Sequence, residues 1–218
     1  MPTKKASEYG YGLAYQLALK NLAGIDNIEL QCLKAGAQYA DSPKGIRIDY
    51  LNQPYLISLP DGEVSSLAGD ETIPIRDKLL ILHYFIQAKG TPISNNLITY
   101  KELQEGILYF PVFYKRAIKP FVNHFGDEPH RLLDIAGIMG GHKADYGDVA
   151  VTIDAFRHVP ITLVLWKGDE EFNTEGNLMF DSTVSDYLTN DDLHVLCETI
   201  AWKLVKLLKM GGDNPGNN

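Results

Sequence analysis

Cysteine is almost missing from this chain. Cys32 and Cys197 are the only two in 218 residues, far apart and without the paired spacing that tetrahedral zinc sites and iron–sulfur clusters require. The chain therefore has no thiolate set for a cluster of its own. Positive charge is also scarce, with 20 Lys and Arg against 28 Asp and Glu for a formal net charge of -8. Because the acids are spread along the sequence, partners bound by phosphate neutralisation are excluded, nucleic acid and anionic membrane surfaces among them. No apolar run approaches the roughly 20 residues that span a bilayer. The basic start, residues 1–7, leads into polar, helix-forming sequence instead of the apolar core of a secretory signal. A cytoplasmic protein with two reduced core thiols is the expectation. No histidine pair at i, i+4 flanks a glutamate, and no serine sits in a Gly-x-Ser-x-Gly elbow, so the zinc-protease and nucleophilic-hydrolase arrangements are absent.

What is present is an ordinary core. Hydrophobic residues make up 45% of the chain and charged ones 22%, enough to predict a single globular domain over 1–210 followed by a polar, disordered tail over 211–218. Leu13, Leu17 and Leu22 predict a helix over 7–23, and Asp26-Asn27 caps a second one running to about Gln38. Alternation over 46–51 and the run 55–59, joined by Asn52-Gln53-Pro54, predict an antiparallel hairpin. The segment 76–89 is apolar on nearly every side and predicts a buried helix. Helical regions follow at about 111–124, where Pro120 predicts a kink or a break, and at about 128–139. The period then changes to two, predicting a three-stranded meander from 149–154, 161–166 and 178–180. Thr189 with Asp192 has the form of a capping box ahead of a long final helix over 190–209. Its apolar face is Leu193, Leu196, Cys197, Ile200, Leu204 and Leu207. The fold class is α+β: antiparallel sheet from two hairpin or meander regions, covered by helices, with the joining of the two regions left open.

Three groups of residues carry candidate chemistry. The turn Trp166-Lys167-Gly168-Asp169-Glu170-Glu171-Phe172 offers Asp169, Glu170 and Glu171, and Asp181 follows on the next strand. Together they are a candidate set of hard oxygen ligands for Mg²⁺ or Ca²⁺. The plain alternative is a Gly-Asp turn with solvated acids, in which Gly168 supplies a positive φ. The aromatic segment around Phe113, with Arg116 and with His124 or His142 as an axial ligand, is a candidate pocket for a flat cofactor such as a corrinoid or another tetrapyrrole. Its alternative is core packing with solvated cations. Gly137-Ile138-Met139-Gly140-Gly141-His142-Lys143 brings glycines before a lysine, but lacks the strand-loop-helix context and the hydroxyl of a phosphate-binding loop. It reads as the end of a helix.

The block from Val159-Pro160 through Trp166-Lys167-Gly168-Asp169-Glu170-Glu171-Phe172 to Leu178-Met179-Phe180-Asp181 and Tyr187-Leu188 resembles the family catalogued as domain of unknown function 3786. Leu79-Leu80-Ile81-Leu82-His83-Tyr84 with Ala88-Lys89-Gly90-Thr91-Pro92 is similar to an earlier block of it, as is Gly140-Gly141 before Gly147-Asp148. The resemblance implies anaerobic prokaryotes and an accessory role beside a four-iron-cluster or corrinoid protein, since some members carry the domain next to a cysteine-rich cluster domain. Lacking those cysteines, this chain departs from such members. Three functions remain open: a cofactor-binding or accessory protein of anaerobic redox, corrinoid or metal-cofactor metabolism; a metal-dependent enzyme using the acidic turn; and an interaction domain without a small ligand.

Overall fold

The computed structural model describes residues 4–70 and 72–212. Of the tail expected over 211–218, residues 213–218 lie outside them, while 211 and 212 are helical. The chain is α+β and clusters into two compact units.

Unit 1 comprises 1–93, 156–158 and 183–192. It holds α1 (Lys4–Ala23), α2 (Ile28–Ala35), β1 (Gln38–Asp41), β2 (Lys44–Tyr50), β3 (Gln53–Ser58), β4 (Val64–Ser66) and α3 (Ile75–Gln87). The four strands form an antiparallel meander in chain order. In β2, Ile46, Ile48 and Tyr50 are buried while Arg47 and Asp49 are exposed, which is the alternation that marked the strand. The β2–β3 turn falls on Leu51 and Asn52, both left-handed at φ 49° and 61°, because this handedness matches the twist of a two-residue hairpin. Pro54 thus enters β3, opposite Asp49.

α2 is shorter than expected. Asn27 caps it by accepting the Leu30 N–H, and Gly36 stops it at φ 63°. A Cβ on Gly36 would also lie 2.5 Å from Arg157 Cγ. The last residue of the predicted helix, Gln38, opens β1 instead. α1 also differs in which face it buries. Ala18 and Leu22 are inside, whereas Leu13 and Leu17 are 66% and 59% exposed. The heart of the unit is an aromatic stack in which Phe156 lies 4.1 Å from Tyr84 and 5.0 Å from Tyr50, centroid to centroid. Gln31 closes the end of α3 by donating to the carbonyls of Phe85 and Ala88 at 2.7 and 3.0 Å.

Unit 2 comprises 94–155, 159–182 and 193–218. Its sheet runs β5-β9-β8-β7-β6, from β5 (Leu97–Thr99), β6 (His142–Ala144), β7 (Val149–Phe156), β8 (Val159–Trp166) and β9 (Glu175–Asp181). The expected meander is its centre, and the two three-residue edge strands were too short to signal a period. β8 is buried on both faces from Ile161 to Leu165, so it reads as a continuous apolar run. Its one hydroxyl there, Thr162, meets Thr152 Oγ1 at 2.8 Å.

The helices are α4 (Gly106–Phe113), α5 (Lys119–Phe125), α6 (Arg131–Ile138) and α7 (Asn190–Gly212), with a π-turn at Tyr114–Ile118 between α4 and α5. The break expected at Pro120 takes that form. Pro120 has no N–H for the Arg116 carbonyl, so it occupies the first turn of α5, where no donor is needed, and the backbone widens just before it. α7 begins in unit 1 and continues through unit 2. Its expected apolar face is buried, with Leu207 only partly so and Ala201, Val205 and Leu208 added. The helix extends to Gly212 instead of ending at 209. The two strand regions form two separate sheets.

Candidate functional site

The acidic turn is held by its own backbone. Asp169 Oδ1 accepts the N–H groups of Glu171 and Phe172, each at 2.8 Å, and these bonds hold its carboxyl below the ordinary range. Asp148 performs the same service one loop away, accepting the Lys167 N–H at 2.7 Å. Gly168 does not have the expected positive φ. Its small size is what matters, because a Cβ there would lie 2.6 Å from the Phe172 carbonyl oxygen and 2.7 Å from the Thr174 nitrogen. Glu170 and Glu171 are exposed at the tip.

Asp181 belongs to a different place. It is 1% exposed and accepts from Ser94 N, Ser94 Oγ and Asn95 N at 3.1, 3.0 and 2.7 Å, anchoring the loop that leads into β5. The seven residues of β9 separate it from the turn by about 20 Å. Asp169 and Asp181 are therefore not brought together. Among the described residues no three His, Cys, Asp or Glu side chains are grouped to hold a metal ion. The turn does border an open cleft of about 370 Å³, opposite Gly126, Asp127 and Pro129.

Three of the four candidate cofactor residues, Phe113, Arg116 and His124, form a seam against α7, and His142 is not brought to it. Phe113 is fully buried, stacked on Tyr100 at 4.0 Å and edge-on to His194 at 5.8 Å. Arg116 pairs with Glu198 at 3.0 Å. His124 Nδ1 donates to the Pro120 carbonyl at 2.8 Å, and its ring lies against Trp202. Residues 194, 198 and 202 are spaced four apart, so one stripe of α7 receives all three. His142 stands exposed on the edge strand β6.

Sequence reading missed two features. The first is a pair within unit 1. His83 on α3 lies 2.7 Å from Asp192, whose second oxygen accepts from Thr189 Oγ1 at 2.7 Å and from Thr189 N at 3.2 Å. The capping box expected from Thr189 and Asp192 is present, with the reciprocal bond from Asp192 N to Thr189 Oγ1 at 3.2 Å. Burial pushes the Asp192 carboxyl up, but the bonds from His83 and Thr189 outweigh it and hold the group below its usual range. As Asp192 is ionised, the proton of the pair sits on His83 Nδ1. Only a contact 109 residues apart makes this pair, and no spacing rule finds it.

The second feature is α4. This helix, Gly-Ile-Leu-Tyr-Phe-Pro-Val-Phe, has no charged residue, and it faces outward. Ile107 and Leu108 are 72% and 74% exposed, and Tyr109, Val112 and Tyr114 are about half exposed. Monomeric proteins rarely show contiguous apolar patches beyond a few hundred Å². Lys101 sits over Phe110 at 4.2 Å, and exposed Lys115 and Lys119 follow at the C-terminal end, with Glu105 at the other. The signal was in the sequence as a dense apolar run; its direction was not.

A family model described as a domain of unknown function (DUF3786) matches residues 28–202. No curated protein and no solved structure matches this chain.

Proposed function

We propose that this chain, which belongs to the DUF3786 family, works as an accessory protein that docks another protein surface through α4. The observation that carries the reading is the outward placement of Ile107, Leu108, Tyr109 and Val112 on one short helix. Burying such side chains against a partner stabilises a complex by about 1.5–3 kcal/mol for each aliphatic one. Tyrosines beside them suit a protein interface, where they are enriched. The rim supports a protein over a lipid surface because it carries both signs, Lys115 and Lys119 at one end and Glu105 at the other, in a chain of net charge -8. No helix among the described residues is long and apolar enough to cross a membrane.

The cofactor reading has less support, since Phe113 is sealed in the core and Arg116 is paired. The cluster-bearing or corrinoid partner implied by the family resemblance and a second copy of this chain are both protein surfaces of the kind α4 suits. The test is a photo-crosslinking residue placed at Leu108 in the native host, with the exposed strand position Asp154 as control. A discrete protein adduct from 108 alone supports the reading. Adducts to lipid only, or none beyond the control, end it.

A further inference from the structure

The acidic turn has a property that the docking reading leaves unused. Phe172 is 70% exposed at its tip, directly after Glu170 and Glu171, and neither acid has an ion-pair partner among the described residues. Backbone bonds shape the turn that carries this ring. The Asp169 carboxylate pins the Phe172 N–H, the Phe172 carbonyl accepts the Asp169 N–H at 2.9 Å, and Gly168 donates to Thr174 Oγ1 at 3.1 Å. Such bonds restrict the turn, which lowers the ordering cost of binding.

Its chemistry is the inverse of that of α4. One surface is aliphatic with lysines at its C-terminal end; the other is a single aromatic knob with two glutamates beside it. Lys115 and Lys119, like Glu170 and Glu171, lack a carboxylate or cation partner among the described residues. Arg116 is excluded from this role because Glu198 already neutralises it. On α4, Leu108 and Val112 are one helical turn apart and share a face, and exposed Ile107, about 100° round the helix from Leu108, borders it. Both surfaces belong to unit 2, and each copy of the chain carries both.

We propose that the occupant of α4 is a second copy of this chain, its Phe172 seated on Ile107, Leu108 and Val112 and its Glu170 and Glu171 facing Lys115 and Lys119. The proposal rests on the docking reading and goes further by naming the partner. An eight-residue helix meeting one turn buries less than the ~800 Å² per partner of a standard interface. A two-fold pairing repeats the contact, each α4 receiving the tip of the other copy, and closes the assembly. Opposite charges bring the copies into register and make the association sensitive to salt.

The experiment is sedimentation velocity of the full chain over a concentration series at low and high salt, combined with the crosslinker at position 108. Reversible self-association is expected, weaker at high salt, and mass spectrometry should place the crosslink within residues 167–175 of another copy. Leu108→Asp should weaken association at least about tenfold, as for a central anchor. The side chain it replaces is exposed, so folding is retained, as circular dichroism would verify. The paired change Lys115→Glu with Lys119→Glu should weaken it too, and adding Glu170→Lys with Glu171→Lys should restore it. A chain that stays monomeric at all concentrations, or self-association that ignores all these variants, overturns the proposal. If the chain is monomeric but 108 still crosslinks to a different polypeptide, this inference falls and the docking reading stands. If 108 crosslinks to no protein, both fall.

Discussion

Replacing Asp192 by alanine removes one residue that serves two structures. Its Oδ2 accepts the Thr189 N–H and hydroxyl at the start of α7, and its Oδ1 accepts the His83 Nδ1–H from α3. Loss of the capping interaction costs about 1 kcal/mol. Loss of the hydrogen bond to an ionised, largely buried acceptor costs about 1.5–3 kcal/mol, part of which is the penalty of leaving the imidazole N–H unmet. The sum is about 3 kcal/mol. With a urea slope of about 2–3 kcal/mol/M for a chain of this size, the midpoint should fall by about 1–1.5 M.

The pH dependence gives a second handle. The folded-state carboxyl is held below its ordinary value, so the native state binds fewer protons there than the unfolded chain. The stabilisation is complete above the unfolded pKa of about 4 and is lost as pH falls through the folded value. The gap between wild type and Asp192→Ala should therefore be widest near neutrality and shrink in acid. A double-mutant cycle with His83→Ala isolates the pair, and a coupling of about 1–2 kcal/mol is expected for a charge-assisted bond of this length. A coupling under about 0.3 kcal/mol, or a gap that stays constant down to acid pH, would refute the reasoning.

Other expectations follow from single contacts. Phe156→Ala empties the stack between Tyr84 and Tyr50 and should destabilise the protein by about 3–5 kcal/mol in denaturant unfolding. Gly168→Ala forces its turn open against the Phe172 carbonyl oxygen and Thr174 nitrogen; hydrogen exchange should accelerate over residues 168–174 while the core amides stay protected. His158 is held below its usual pKa by burial and by Arg157, so its contribution is present above the unfolded value of about 6.5 and declines as pH falls below it. Thermal melts of His158→Gln should accordingly show a shallower loss of stability between neutrality and mild acid than wild type. Millimolar Mg²⁺ or Ca²⁺ should leave the melting temperature unchanged, because the length of β9 separates Asp181 from the turn that carries Asp169; a rise that Asp169→Asn abolishes would contradict this.

Local order was written in the sequence because its causes are local. The alternation of Ile46, Ile48 and Tyr50, the Asn27 cap, the Thr189–Asp192 box and the i, i+3, i+4 stripe of α7 each involve neighbours within one turn or one strand, and each formed. The acidic turn was legible in the same way, as a Gly-Asp turn with solvated acids, although the bonds from Asp169 to its own backbone were not foreseen and the reason for Gly168 was steric and not torsional. The family likeness was carried by those same local blocks. Direction and partnership were different. Whether α4 faces in or out, whether Leu13 and Leu17 or Ala18 and Leu22 meet the core, and which carboxylate finds His83 depend on contacts made across tens of residues. A helix's own periodicity does not say which neighbour arrives to cover it. Asp169 and Asp181 illustrate the point, being near in sequence and parted by the length of a strand. The chain by itself determined most of its elements and its family; only the tertiary packing decided that the apolar helix α4 faces outward.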